Sequence, residues 1–146
     1  MTEKKEADLQ AALVQFEAGK KQLEALIKQG RMMEGALAET NATIETLENL
    51  KTAKKGDEIL VPIGSDCLIS ASLKDAGSVI FGVGAKVSVD KKAEDAIKVL
   101  KERAAELERA LSQAQQGIIS LNGQLEELNH RAQHLMGGAH TGHDHD

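Results

Sequence analysis

Aromatic residues are nearly absent from this sequence, which contains no Trp, no Tyr and only two Phe, Phe16 and Phe81. Hydrophobic residues nevertheless make up 41% of the chain, so its apolar content is mainly Ala, Leu, Ile and Val. Large rings dominate the energetics of ordinary cores, and this chain cannot build such a core. With 28% charged residues, the composition favours long helices instead.

Proline and cysteine are also scarce. A single proline, Pro62, excludes a Pro-rich disordered chain. A single cysteine, Cys67, excludes an intrachain disulfide and makes a reducing compartment the simpler interpretation. No run of about 18 apolar residues is present to span a bilayer, and residues 1–6 lack the apolar segment of a signal peptide. We therefore expect a cytoplasmic protein without a membrane partner.

Positive charge is in deficit, because 18 Lys and Arg stand against 23 Asp and Glu and give a net charge of -5. A protein that binds nucleic acid regardless of sequence needs clustered Lys and Arg to displace counterions from phosphates. We therefore expect no nucleic-acid partner. The length of 146 residues fits a single domain.

Apolar residues at alternating spacings of three and four form a heptad pattern in the first and last parts of the chain. This pattern predicts helices at residues 3–55 and 91–136, the first closed by Gly56 and the second capped by Asp90. The seam of the first helix consists of Leu9, Ala12, Phe16, Gly19, Leu23, Leu26, Gly30, Met33, Leu37, Thr40, Ile44 and Leu47. The seam of the second consists of Ile97, Leu100, Ala104, Leu107, Leu111, Ala114, Ile118, Leu121, Leu125, Leu128, Ala132 and Leu135.

Helices of this length cannot be buried in so small a protein, so we expect them to pair with each other as an antiparallel coiled coil. One register aligns both ends of the two seams, with Leu47 facing Ile97 and Leu9 facing Leu135. A slip of one heptad also fits the periodicity and stays open as an alternative.

The middle of the chain, residues 57–90, alternates between apolar and polar residues and predicts two β-hairpins. Four short strands cannot cover both faces and both edges of their own sheets, and unpaired edges recruit partners. We therefore interpret this block as an assembly element. The residues expected at the oligomer interface are Ile59, Val61, Ile63, Cys67, Ile69, Leu73, Val79, Phe81, Val83, Val87 and Val89.

Two further features of the sequence resemble chemical motifs. Residues 82–86, Gly-Val-Gly-Ala-Lys, resemble part of a phosphate loop, but they lack a third glycine and continue as a strand. We expect a hairpin turn there. Cys67 is expected to be a small buried apolar residue rather than a nucleophile, because no His lies near it in the sequence.

All five His lie near the C-terminus. His130 and His134 are four residues apart and could share a helix face, but no further ligand holds a defined geometry around them. We expect residues 137–146 to form a disordered tail rich in His and Asp, and we predict no metal site. The sequence contains no Ser/His/Asp set and no convergent pair of carboxylates, so we expect no enzyme, no catalytic residue and no cofactor.

The order of long helix, two hairpins and long helix resembles the alpha class of the archaeal prefoldin family. Two segments carry the resemblance: Glu58–Gly64 at the start of the strand block and Val79–Lys86 near its end. The VPIG run at residues 61–64 and the GVGAK run at residues 82–86 are similar to family landmarks, and two hairpins rather than one favour the alpha over the beta class. The resemblance covers residues 3–136. The glycines of the helices and the His-Asp tail depart from it.

The resemblance implies an α+β fold, with a long antiparallel two-helix coiled coil and two β-hairpins at its base, in a single domain over residues 1–146. The strands would join an oligomeric β-barrel platform in a hexamer of two alpha and four beta subunits. The partners implied are prefoldin beta subunits, a second alpha subunit, non-native client proteins and a group II chaperonin. Family members are ATP-independent holdases that capture clients at the coiled-coil tips and pass them to the chaperonin.

Apolar residues near the free end of the helical pair are the expected client-binding set, because fraying there makes them available to other proteins. This tip set consists of Leu9, Leu13, Phe16, Leu128, Leu135 and Met136. The alternative for these residues is that they are only the last layers of the seam. The alternative for the whole protein is a structural coiled-coil tether or a filament-forming assembly subunit without client binding.

Overall fold

The computed structural model describes the backbone of residues 2–144 and the side chains of residues 2–137. A long helix is followed by two hairpins and a second long helix, which is the predicted order. The elements are α1 Glu3–Leu50, β1 Glu58–Gly64, β2 Cys67–Ser72, β3 Ser78–Gly84, β4 Val87–Lys92 and α2 Ala93–Asp144. The chain divides into two compact units, a helical unit of residues 1–34 and 109–146 and a hairpin unit of residues 35–108.

The helical unit is held together by the predicted seam. Every seam residue of α1 and α2 is buried or half-buried, whereas most residues between them are exposed. Leu125 packs over Gly19 so closely that a Cβ at Gly19 would lie 2.6 Å from Leu125 Cδ2. A slip of one heptad would place Ile118 or Ala132 opposite Gly19 instead. The contact therefore confirms the predicted register in this unit.

Glycines inside the helices offer a direct test of this packing. A Cβ added at Gly35 or Gly123 would meet no atom within 4 Å, so Gly35→Ala and Gly123→Ala should each stabilise the fold by about 1 kcal/mol through helix propensity. Gly19→Ala should gain clearly less, because Leu125 must move to admit the methyl group. Chemical denaturation of the three variants measures the differences. Equal gains at all three positions would contradict the close packing of Leu125 on Gly19.

The hairpin unit has its own small core where the two helices meet the strands. Leu47, Ala96, Ile97 and Leu100 are buried together, and the partly buried residues packed against them are Ile44, Leu50, Val79 and Phe81. These contacts also agree with the predicted register. An ion pair between Lys101 Nζ and Glu48 Oε1 (3.3 Å) joins α2 to α1, but both side chains are exposed, so it contributes little to stability.

Two antiparallel hairpins form two separate two-stranded sheets, β1-β2 and β3-β4. Each hairpin closes with a two-residue turn in which both residues have positive φ, Ser65 and Asp66 in the first and Ala85 and Lys86 in the second. Such turns match the right-handed twist of the flanking strands. The glycine-containing run at residues 82–86 is thus the end of β3 and a hairpin turn, as predicted.

The ends of the helices differ from the prediction. α1 ends at Leu50 rather than at residue 55, because residues 54–57 form a turn into β1: the Lys54 N–H donates to Asp57 Oδ2 (2.8 Å) and the Gly56 N–H donates to Leu73 O (2.7 Å). Gly56 does have the predicted positive φ, but it serves this turn and not a helix terminus.

The start of α2 was also predicted wrongly. Asp90 is not its N-cap but a residue of β4, paired with Ile80 across the second hairpin. The Ala93 N–H donates to Gly77 O (3.0 Å), so the first residue of α2 still extends the hairpin's hydrogen-bonding pattern. At its other end, α2 continues to Asp144 rather than ending at residue 136. The side chains of His140, His143 and His145 lie outside the described residues.

Candidate functional site

One face of the hairpins carries the residues expected at an oligomer interface, and the structure divides them into two groups. Half-buried within the chain are Ile59, Val61, Leu73, Val79 and Phe81. Exposed to solvent are Ile63, Cys67, Ile69, Val83, Val87 and Val89. The cross-strand partners on this face are Val61 with Ile69 and Phe81 with Val89. The exposed group thus continues the half-buried one to the turn ends of β1 and β3 and onto their partner strands β2 and β4.

The opposite face of the hairpins also carries large apolar side chains, which the sequence analysis missed. Leu60, Leu68 and Ile80 are exposed by 63%, 56% and 78%. The signal for them was available: each lies in an unbroken apolar run, at residues 59–61, 67–69 and 79–81, and such runs indicate strands buried on both faces rather than on one. Both faces of the hairpins are therefore candidate contact surfaces.

The free edges of the strands are a third candidate contact surface. Each strand pairs with one neighbour only, so its other edge carries backbone N–H and C=O groups without a strand partner. A two-stranded hairpin is marginally stable in water by itself, and exposed apolar edges promote pairing with further strands. The hairpins thus have the properties of an element that is completed by other chains.

Phe81 fixes the second hairpin to α2. Its ring packs against the buried cluster of the hairpin unit, and two cations lie over it, with Arg103 Cζ 5.0 Å and Lys91 Nζ 5.4 Å from the ring centroid. A cation over an aromatic face is attracted by the ring's electrons. Phe81 therefore belongs at least partly to the core of the subunit, and not only to an interface.

Cys67 is exposed, so the prediction of a buried apolar residue is wrong. It lies directly after the turn of the first hairpin, opposite Gly64, and its Sγ donates weakly to Ser65 O (3.7 Å). A two-stranded sheet offers no second layer to cover a side chain at this position.

The tip set also divides into two groups. Leu9, Phe16, Leu128 and Leu135 are half-buried in the seam of the helical unit. Leu13 and Met136 are 46% and 49% exposed, and both lie next to the seam rather than in it. Val14 is exposed as well and was not among the predicted residues. Among the described residues at this end of the helices, Leu13, Val14 and Met136 are the large apolar residues that are exposed without fraying of the helices.

Comparison with known proteins decides the family. A family model for prefoldin subunits matches residues 19–137. The chain belongs to the prefoldin family. A prefoldin subunit alpha of Methanoculleus marisnigri is 34% identical over 118 residues, which cover 81% of this chain and 78% of the relative. Membership of the prefoldin family makes the chain a chaperone-type subunit, and this class of protein is not a class of enzymes.

Solved prefoldin structures share the fold. A filamentous PFD from Methanocaldococcus jannaschii, determined by cryo-EM, is 26% identical with a TM-score of 0.66, covering 77% of this chain and 93% of that chain. The prefoldin beta subunit from Thermococcus strain KS-1 is 21% identical with a TM-score of 0.55, covering 86% and 89%. The two long helices and two antiparallel hairpins are thus the prefoldin fold, as the sequence predicted.

The surface of this prefoldin subunit also has one open groove of note. An open groove of ≈ 850 Å³ lies within the hairpin unit, lined among others by Lys55, Lys74 and Asp90. Within the part of the chain that the structure describes, no group of three or more His, Cys, Asp or Glu is arranged to hold a metal ion. No helix among the described residues has the length and apolar character needed to cross a bilayer.

Proposed function

We propose that this chain is the alpha-class subunit of a hetero-oligomeric prefoldin, which acts in the cytoplasm as an ATP-independent holdase. The observation that carries the proposal is the hairpin pair, which exposes large apolar side chains on both faces, such as Ile63 on one and Ile80 on the other. A surface of this kind in water indicates a protein-protein interface. Family membership supports a chaperone assembly as the product of that interface.

The partners proposed for the hairpins are strands of other prefoldin subunits. Completing the free edges and covering both faces requires neighbours that bring similar strands, and a beta subunit shares the same fold. By resemblance to the family, two alpha and four beta subunits would combine, and their strands would close into a β-barrel platform that leaves no edge unpaired.

Client capture is assigned to the tip set. Leu13 and Met136 are available without unfolding, and the half-buried seam residues beside them, Leu9 and Leu135, become available if the last turns fray. Met136 suits clients of varied shape because its unbranched thioether adapts to irregular surfaces. Weak contacts from several subunits would add through effective concentration, so no single tight site is needed.

Delivery of the captured client to a group II chaperonin is the last step of the proposal. It follows from the family resemblance, and no described residue is assigned to the chaperonin contact.

The experiment that tests the holdase function mixes the chain with a beta-class partner and a chemically denatured client, without ATP. Light scattering of the diluted client should fall in proportion to the assembled complex. If the complex forms but leaves client aggregation unchanged, the holdase function is wrong, even though the assembly stands.

A second candidate function has support from one observation, the similarity to a prefoldin described as filamentous. Hairpins with free edges and two apolar faces also suit assembly of many identical copies. In that case the purified chain alone would form particles whose length grows with concentration, visible by negative-stain electron microscopy. Growth into filaments without suppression of client aggregation would favour a structural subunit over a holdase.

A further inference from the structure

His130 and His134 are placed together by α2. Both side chains are exposed, on a helix that runs without interruption from Ala93 through both positions. Residues four apart on a helix lie on the same face, with their Cβ atoms about 5–6 Å apart. Leu128, Ala132 and Leu135 occupy the seam, so the two imidazoles lie on the solvent-facing side of the helix.

We propose that His130 and His134 bind a divalent transition metal ion of borderline softness, namely Zn²⁺, Ni²⁺ or Cu²⁺. Neutral imidazole is a preferred ligand for these ions, and the i, i+4 spacing of two His on one helix face is the spacing that helical zinc motifs use. The described residues bring no third protein ligand to a metal position. The site therefore has two protein ligands, and water completes the coordination sphere.

The helical spacing should give the pair a higher affinity for the ion than two separate histidines would have. Once one imidazole holds the ion, the second binds it intramolecularly, at an effective concentration fixed by the helical spacing. The bound ion joins two successive turns, directly before Leu135 and Met136 of the tip set. Because binding requires the helical conformation, the ion should stabilise the helix at this point. This role is independent of client capture, since it needs only α2.

The test is an isothermal titration calorimetry experiment in which Zn²⁺ is added to the protein in a buffer without chelating components. The full-length chain is used with His140, His143 and His145 replaced by Gln, so that only the pair remains. We expect one Zn²⁺ per chain. Either His130→Gln or His134→Gln in this background should weaken Zn²⁺ binding on the order of 100-fold, because the intramolecular second contact is lost.

A matched control keeps the number of histidines and removes only their spacing. Gln113 is exposed on the same helix, so Gln113→His combined with His134→Gln retains two His but separates them by several turns. This variant should bind as weakly as His134→Gln alone, with unchanged helical content by circular dichroism. The proposal is overturned if the starting background shows no saturable binding, or if the relocated pair binds Zn²⁺ as tightly as the original pair.

Discussion

Replacing Ile63 and Val83 with lysine should abolish assembly of the chain with a beta-class partner. Both side chains are exposed in the single chain, so the substitutions should change the stability of the subunit little. In an assembled platform they would become buried, and an uncompensated charge in such a place costs several kcal/mol. Association should weaken at least about 1000-fold, since 1.4 kcal/mol corresponds to a factor of ten. Size-exclusion chromatography with light scattering measures the loss.

A second double variant tests the opposite face of the hairpins in the same experiment. Leu60→Lys with Ile80→Lys should also prevent assembly, because the proposal requires both faces to be covered. Val14→Lys is the matched control, since Val14 is exposed to a similar extent but lies on α1 outside the hairpins. Assembly of either double variant at wild-type affinity would mean that the substituted face stays in solvent.

Replacing Leu13 and Met136 with serine should leave the assembly intact and reduce client protection. These are the members of the tip set that are exposed on the folded helices. An apolar side chain of this size contributes about 1.5–3 kcal/mol when it becomes fully buried, so the apparent affinity for a client should fall at least about tenfold. The concentration of complex that halves client aggregation provides the measurement.

A matched control for the tips is Met32→Ser, because Met32 is 68% exposed on α1 and is not in the tip set. It should keep full protection. A more severe variant lacks residues 1–16 and 128–146 and should assemble without protecting clients. If protection survives this truncation, clients bind elsewhere on the complex.

The helical part of the fold was the most predictable from sequence. A heptad pattern repeats the same information many times, so both seams were assigned correctly from Leu9 to Leu47 and from Ile97 to Leu135. The register followed because the ends of the two seams had to coincide, and the packing of Leu125 on Gly19 confirms it.

The ends of the helices were less predictable because each is determined by a few residues, and these residues fit more than one local structure. Asp90 has the chemistry of an N-cap, but pairing with Ile80 across the hairpin places it in β4. Gly56 adopts positive φ, as a residue closing a helix would, but it does so in the turn into β1. In both cases the hydrogen bonds of the hairpins decided the outcome.

The apolar surface of the hairpins was half predictable for a different reason. Alternation was the pattern sought in the strands, and it identified the face that carries Ile63 and Val83. Leu60, Leu68 and Ile80 interrupt that alternation. Their apolar side chains are explained if other chains cover the strands on both faces. Cys67 was predicted to be buried, but the single chain has no layer that covers it. The missing information in each case concerns neighbours that lie outside this sequence.

The mass of the complex formed with a beta-class partner tests the central proposal most directly. We predict that the 15.6 kDa chain enters a six-subunit particle containing two alpha and four beta subunits, as measured by native mass spectrometry. A chain that stays monomeric beside the beta partner would contradict the assignment of the hairpins as an assembly element.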